Sequence, residues 1–164
     1  MDPTRGPTAA EVLAAIDASG GEPGDLRLEI TERVLLDADE AMLTELRYVT
    51  GDGCGLAIDD FGTGYSSLAY LTRFPVTELK IDKTFVAGLG RDDRDTAVVE
   101  AVVGLARALG LTSVAEGVET TAQLRVLREL GCDRAQGFHL GRPVPSGRLS
   151  SALAKAGVGD SSLG

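Results

Sequence analysis

Residues 55–67 read GLAIDDFGTGYSS. The apolar run from Leu56 to Ile58 reads as a buried strand, and it ends in two adjacent acids, Asp59 and Asp60. A loop rich in glycine and hydroxyl residues follows. Two carboxylates at the end of a buried strand need a reason, because ionised side chains stay out of the interior unless they are paired. The arrangement recurs along the chain. Short apolar runs over 26–30, 56–60, 78–82, 112–116 and 134–138 alternate with segments long enough for crossover helices, which predicts an α/β fold with a parallel sheet.

The helical segments carry their own signals. Thr8 and Glu11 stand at capping-box spacing ahead of an apolar periodicity that Gly20 and Gly21 stop. Residues 37–50 predict a second helix, ended by Gly51 and Gly53. Residues 95–109 present a broad apolar face from Val98 to Leu109, closed by Gly110. Thr120 and Gln123 form another capping box ahead of Leu124, Leu127 and Leu130. The Ser-, Gly- and Ala-rich tail predicts one weak helix that frays.

Two architectures accommodate such a series: an open doubly wound sheet, and part of a (β/α)8 barrel. The polar residues at the strand ends separate them. Glu29 ends the first strand, with Glu32 three residues on. Asp59 and Asp60 end the second, Lys80 and Asp82 the third. Glu116 ends the fourth, followed by Glu119, and Gln136 stands late in the fifth. A doubly wound sheet gathers its chemistry at one switch point, whereas a barrel uses the C-terminal ends of many strands. The strand period of two points Glu29, Asp59, Lys80, Glu116 and Gln136 towards one side. The reading is a partial TIM-like (β/α) barrel of about five parallel strands with flanking helices.

Composition narrows the function. The chain has 164 residues, 43% of them hydrophobic, enough for one domain with a core. A net charge of −9, sixteen scattered Lys and Arg, and 4% aromatics argue against a polymeric nucleic acid as partner. No apolar run is long enough for a membrane segment. With two cysteines, Cys54 and Cys132, and no signal-peptide pattern, the expected location is cytoplasmic, with reduced thiols.

Several carboxylates converging near one lysine cannot all stay ionised without compensation. A divalent cation supplies it, and hard oxygen ligands without His or Cys suit Mg²⁺ or Mn²⁺. Adjacent acids such as Asp59 and Asp60 suit two metals about 4 Å apart, an arrangement that clamps the attacking and leaving oxygens of a phosphodiester. Taken singly, each signal has an ordinary explanation. An ExxE is a solvated helix pair, an Asp-Asp before glycine is a turn signal, and the lone His139 is a local structural residue. Recurrence at five successive strand ends is what lifts them above that level.

LEITE (28–32), IDDFGTGYSSLAYL (58–71), LKIDKTFV (79–86), VAEGVET (114–120) and GCDRAQGFHLGRP (131–143) resemble, in order and spacing, the EAL domain family. The resemblance runs from about residue 8 to about residue 147. It implies a TIM-like barrel that hydrolyses cyclic di-GMP to the linear dinucleotide pGpG with Mg²⁺ or Mn²⁺. By motif, Glu29, Asp59, Asp60 and Glu119 resemble metal ligands. Lys80 resembles the lysine at the nucleophilic water and phosphate, and Glu116 the general base. Glu32 resembles the acid that anchors the glycine loop after Asp60, and Gln136 and Asp82 fall in the substrate and water network.

The family's Glu-Ala-Leu tripeptide is absent, and the chain contains no asparagine, so the asparagine metal ligand has no counterpart in kind. The expectation is therefore a truncated EAL-type domain over 1–147 and a C-terminal helix or flexible tail over 148–164. Metal should bind weakly and turnover by the chain alone should be weak or absent. A homo-oligomer or a partner chain should complete the barrel. The alternative is a non-catalytic module for cyclic di-GMP or protein binding.

Overall fold

The structure, a computed structural model, describes residues 7–62 and 71–148. Five strands form one sheet: β1 (Arg27–Thr31), β2 (Gly55–Phe61), β3 (Glu78–Ile81), β4 (Thr112–Ala115) and β5 (Arg134–Ala135). All neighbours pair in parallel and the spatial order is the sequence order. A doubly wound sheet reverses its order at a switch point; this one never does, as in a barrel.

Among the described residues the helices are α1 (Ala9–Ser19), α2 (Glu32–Asp37), α3 (Glu40–Gly51), α4 (Lys83–Gly88), α5 (Asp93–Leu109) and α6 (Thr121–Leu130). Alternate residues of the strands turn towards them. Leu56, Ile58, Leu79 and Ile81 are fully buried against Leu35, Leu43, Val99, Val103 and Leu127. Each such side chain contributes about 1.5–3 kcal/mol relative to exposure. The residues between them, including Glu29, Asp59, Glu78, Lys80 and Arg134, fall on the opposite face by the strand period. A sheet with helices on one face and charges on the other is a barrel wall.

The cap signals hold. Thr8 accepts from the Glu11 N–H, and Glu11 accepts from the Thr8 N–H at 2.8 Å. The Thr120–Gln123 box forms in the same way. Other boundaries differ. The helix expected over 37–50 is α3, which starts at Glu40 because Asp39 caps it by accepting from the Met42 N–H. The short α2 ahead of it was not expected. Nor was α4, which Asp82 caps through Thr84. The fifth strand, expected over 134–138, pairs only at 134–135, because the chain then folds onto the β4–α6 loop. The glycine loop lies mostly within 63–70, and the expected tail helix within 149–164, both outside the described residues. No helix among the described residues is long and apolar enough to cross a membrane.

Candidate functional site

The C-terminal ends of four strands deliver one cluster. The Lys80 ammonium, 7% exposed, lies 2.6 Å from Glu116 Oε1, 2.8 Å from Glu29 Oε2 and 3.1 Å from Asp59 Oδ1. Gln136 donates from Nε2 to the same Glu116 oxygen at 2.7 Å. Strands β1, β2, β3 and β4, with the segment after β5, therefore contribute to one polar centre. Burial on its own would lower the Lys80 pKa. The close carboxylates of Glu116, Glu29 and Asp59 outweigh it and raise the pKa above its ordinary value.

Strand period alone would point Asp59 and Asp60 to opposite faces. The structure resolves this with a break in the β2–β3 register between Ile58 and Phe61 and a left-handed residue, Asp60 at φ 55°. Such an irregularity re-aims a side chain beside a site. Asp60 is drawn towards Asp82, with which it shares a hydrogen bond. Burial raises the Asp60 pKa, and the Asp82 bond and the charges of Asp59, Asp82 and Glu116 add to the rise. Burial also acts upward on Asp82. The Thr84 hydroxyl and N–H, the Asp60 bond and Lys83 outweigh it, and Asp82 is lowered. Of the two acids, Asp60 is therefore the more readily protonated.

The backbone at Asp60 yields a prediction. Asp and Asn enter the left-handed region at little cost, while a residue with a branched Cβ does not. Asp60→Asn is expected to change the urea-unfolding free energy by less than about 0.5 kcal/mol, and Asp60→Val to lower it by about 2 kcal/mol. Equal losses in the two variants would show that conformation is not the constraint.

Glu32 is 4% exposed, and among the described residues neither of its carboxylate oxygens has a hydrogen-bond partner. It stands away from the Lys80 contacts, at the first turn of α2. Glu119 is exposed, with its N–H bonded to Gln123. It lines a cavity of about 660 Å³ with Lys83, Glu116, Gln136, Phe138 and Arg142. The Arg142 guanidinium lies 5.0 Å over the Phe138 ring. Neither Phe138 nor Arg142 was singled out from the sequence. Their signal was an aromatic four residues past a strand start and an arginine one helical turn beyond it, a spacing that loops also produce by chance.

A metal can be tested against these residues. The donors are all carboxylate oxygens, the chemistry of a hard divalent cation. Asp59 Oδ1 is buried and accepts no aligned hydrogen bond, its Lys80 contact being an ion pair only, so it keeps a lone pair in reserve. Among the described residues no three acid, histidine or cysteine side chains close on one metal-sized point. Lys80 Nζ is where they converge. The donor set fits a divalent cation that Glu29, Asp59 and Asp60 could hold; a tight cage is not pre-formed.

Comparisons with known proteins agree with this architecture. The chain matches the EAL domain family over residues 2–143. It is similar to the bifunctional diguanylate cyclase/cyclic di-GMP phosphodiesterase MucR of Pseudomonas aeruginosa, at 50% identity over 133 residues, covering 81% of this chain and 19% of MucR. Among solved structures, the MucR phosphodiesterase in complex with c-di-GMP superposes with a TM-score of 0.80 at 48% identity, over 85% of this chain and 57% of that one. The Klebsiella pneumoniae BlrP1 manganese/cyclic di-GMP complex gives a TM-score of 0.74 at 36% identity, over 80% of this chain and 34% of that one. The chain thus spans about a fifth of the length of the curated relative and just over half of the MucR structure.

Proposed function

The chain belongs to the EAL domain family, and on that premise we propose that its Lys80 face binds cyclic di-GMP and hydrolyses it to pGpG with Mg²⁺ or Mn²⁺. One observation carries the reading: Glu29, Asp59 and Glu116, from three strands, converge within 3.1 Å of a single buried lysine. Solved relatives with this fold hold the ligand together with manganese.

The placement of the residues supports the following roles. Bound divalent cations would supply Lewis-acid polarisation of the phosphate and a more acidic water. Glu29, Asp59 and Asp60 would hold them, and Glu119 stands at the rim. Glu116 takes one proton of the attacking water, whose oxygen bonds phosphorus as the P–O3′ bond breaks, and the departing O3′ takes a proton from solvent water to become the 3′-hydroxyl. Gln136 fixes the Glu116 carboxylate by its hydrogen bond. Lys80 turns a donor towards the phosphate oxygens as negative charge builds there. Asp82 holds Asp60 in place, and the buried Glu32 carboxylate is available to accept hydrogen bonds from the loop that follows β2. The cavity beside Glu116 gives the nucleotide room, with Phe138 and Arg142 as an apolar and cationic wall. Since the acids do not close on a point, metal binds weakly and turnover by the chain alone is slow. The outer strands β1 and β5 leave backbone groups for pairing, and a second copy there completes the wall.

A second reading, binding of cyclic di-GMP without turnover, is favoured by the same open spacing of the acids. One experiment separates the two. The purified chain is incubated with cyclic di-GMP and Mn²⁺, and product is followed by chromatography, with binding measured by calorimetry in Ca²⁺. Linear product that stops on adding EDTA supports hydrolysis. Binding without product supports the second reading, and neither signal sinks both.

A further inference from the structure

A second ionic group lies at the other end of the same strands. Glu78, 4% exposed, starts β3 on the face that carries Lys80 two residues later. Its Oε1 is met at 2.8 Å by Arg27 Nη2 and at 2.8 Å by Arg134 Nη1. Arg27 lies on β1 and Arg134 on β5, the two outer strands of the sheet. In a flat five-stranded sheet these strands would stand about 19 Å apart. The two guanidiniums reach in from opposite edges to one oxygen on the middle strand, each crossing one strand, and a face that bends towards Glu78 shortens both spans.

The path of Arg27 is prepared. Its register neighbour on β2 is Gly55, and a Cβ there would lie 3.1 Å from Arg27 Nε and 3.6 Å from its Cγ. The glycine lets the arginine lie flat across β2 and reach β3. The same three strands then build the site two residues further on. Glu29 follows Arg27, Lys80 follows Glu78, and Gln136 follows Arg134. Their signs invert between the layers: a carboxylate held by two cations below, and a cation held by carboxylates above.

We propose that Arg27, Glu78 and Arg134 are positioning residues, a clamp that sets the curvature by which Glu29 and Glu116 reach Lys80. Their function is geometric. Buried ion pairs add little net stability over apolar replacements, and their best-attested use is to fix one arrangement. Released, the sheet relaxes towards its edges and carries Glu29 on β1 away from the Gln136–Glu116 pair. The consequence for metal rests on the function proposed above; the curvature does not.

The test therefore has two readouts. Spin labels on an unnatural ketone side chain at Arg33 in α2 and Arg125 in α6, both exposed, report the span of the arc and spare the native thiols. Mn²⁺ affinity reports the site. Glu78→Gln is expected to lengthen the label distance by about 3 Å, more than half a strand spacing. It should also weaken Mn²⁺ by about tenfold, as loss of a supporting residue does. Gly55→Val should do the same by driving Arg27 off its path, although valine favours a strand more than glycine does. A weaker fold therefore cannot explain its effect. The inverted triple variant, Arg27→Glu with Glu78→Arg and Arg134→Glu, should restore both readouts. An unchanged label distance in Glu78→Gln and Gly55→Val overturns the proposal, as does a folded triple variant that stays wide. A wild-type chain that binds no Mn²⁺ defeats the proposed function instead, and the label distance still decides the clamp.

Discussion

Lys80→Met is expected to lower cyclic di-GMP hydrolysis by about 1,000-fold, as loss of a charged donor at a developing phosphate charge does. It should also lower stability by about 3 kcal/mol when no divalent cation is present. Methionine keeps much of the length and apolar stem, so packing is largely retained. What is lost is the only positive charge between Glu116, Asp59 and Glu29 in the described contacts. Glu29 is 47% exposed and water screens it; Asp59 at 26% and Glu116 at 18% carry most of the penalty. The sign with metal is opposite to the sign without it. An ammonium at the convergence point competes with a cation for the same oxygens, so removing it frees them. Mn²⁺ should therefore bind Lys80→Met at least as tightly as wild type and return most of the lost stability by linkage. Thermal unfolding with and without Mn²⁺ reads this. A stability loss that Mn²⁺ does not repair would mean that the carboxylates are not a cation site. No loss at all would mean that they are well solvated without Lys80.

The order and identity of the strands were legible because each core strand announces itself twice: by an apolar run facing the helices, and by a charged residue at its end. Leu56, Ile58, Leu79 and Ile81 obey the first rule, and Glu29, Asp59, Lys80 and Glu116 the second. Hidden from the period was whatever the backbone does outside it. Asp60 reaches the same region as Asp59 only through a left-handed turn, which no alternation of residue types encodes. The helices α2 and α4 escaped for a different reason. Each has six residues, too few for an apolar face to repeat. The Arg27–Glu78–Arg134 contact joins residues 51 and 56 positions apart in the chain, and nothing local marks them. Only the folded arc makes them neighbours.

Gly137→Ala is expected to cost about 4 kcal/mol of unfolding free energy, a fall in Tm of roughly 12 °C for a chain of this size. A Cβ at Gly137 would stand 2.2 Å from the Val118 nitrogen and 2.2 Å from its carbonyl oxygen, inside backbone that has no rotamer to change. The two loops must part. They are joined there by Val118 N–H to the Gln136 carbonyl and His139 N–H to the Val118 carbonyl, at 3.0 Å each. Both bonds lengthen together, at about 1–3 kcal/mol for each buried group left unpaired. The separation runs through the site, because Gln136 and Glu116 sit on the two loops and meet at 2.7 Å. A shift of about 1 Å is enough to lower turnover by about 100-fold where hydrolysis is measured. Gly104→Ala is the control. This glycine lies within α5 with nothing near its missing Cβ, and alanine there should raise stability by about 0.5–1 kcal/mol through backbone entropy. If Gly137→Ala melted within two or three degrees of wild type while Gly104→Ala behaved as described, the contact with Val118 would be slack. The Glu116–Gln136 pair would then owe its geometry to something other than the meeting of these loops.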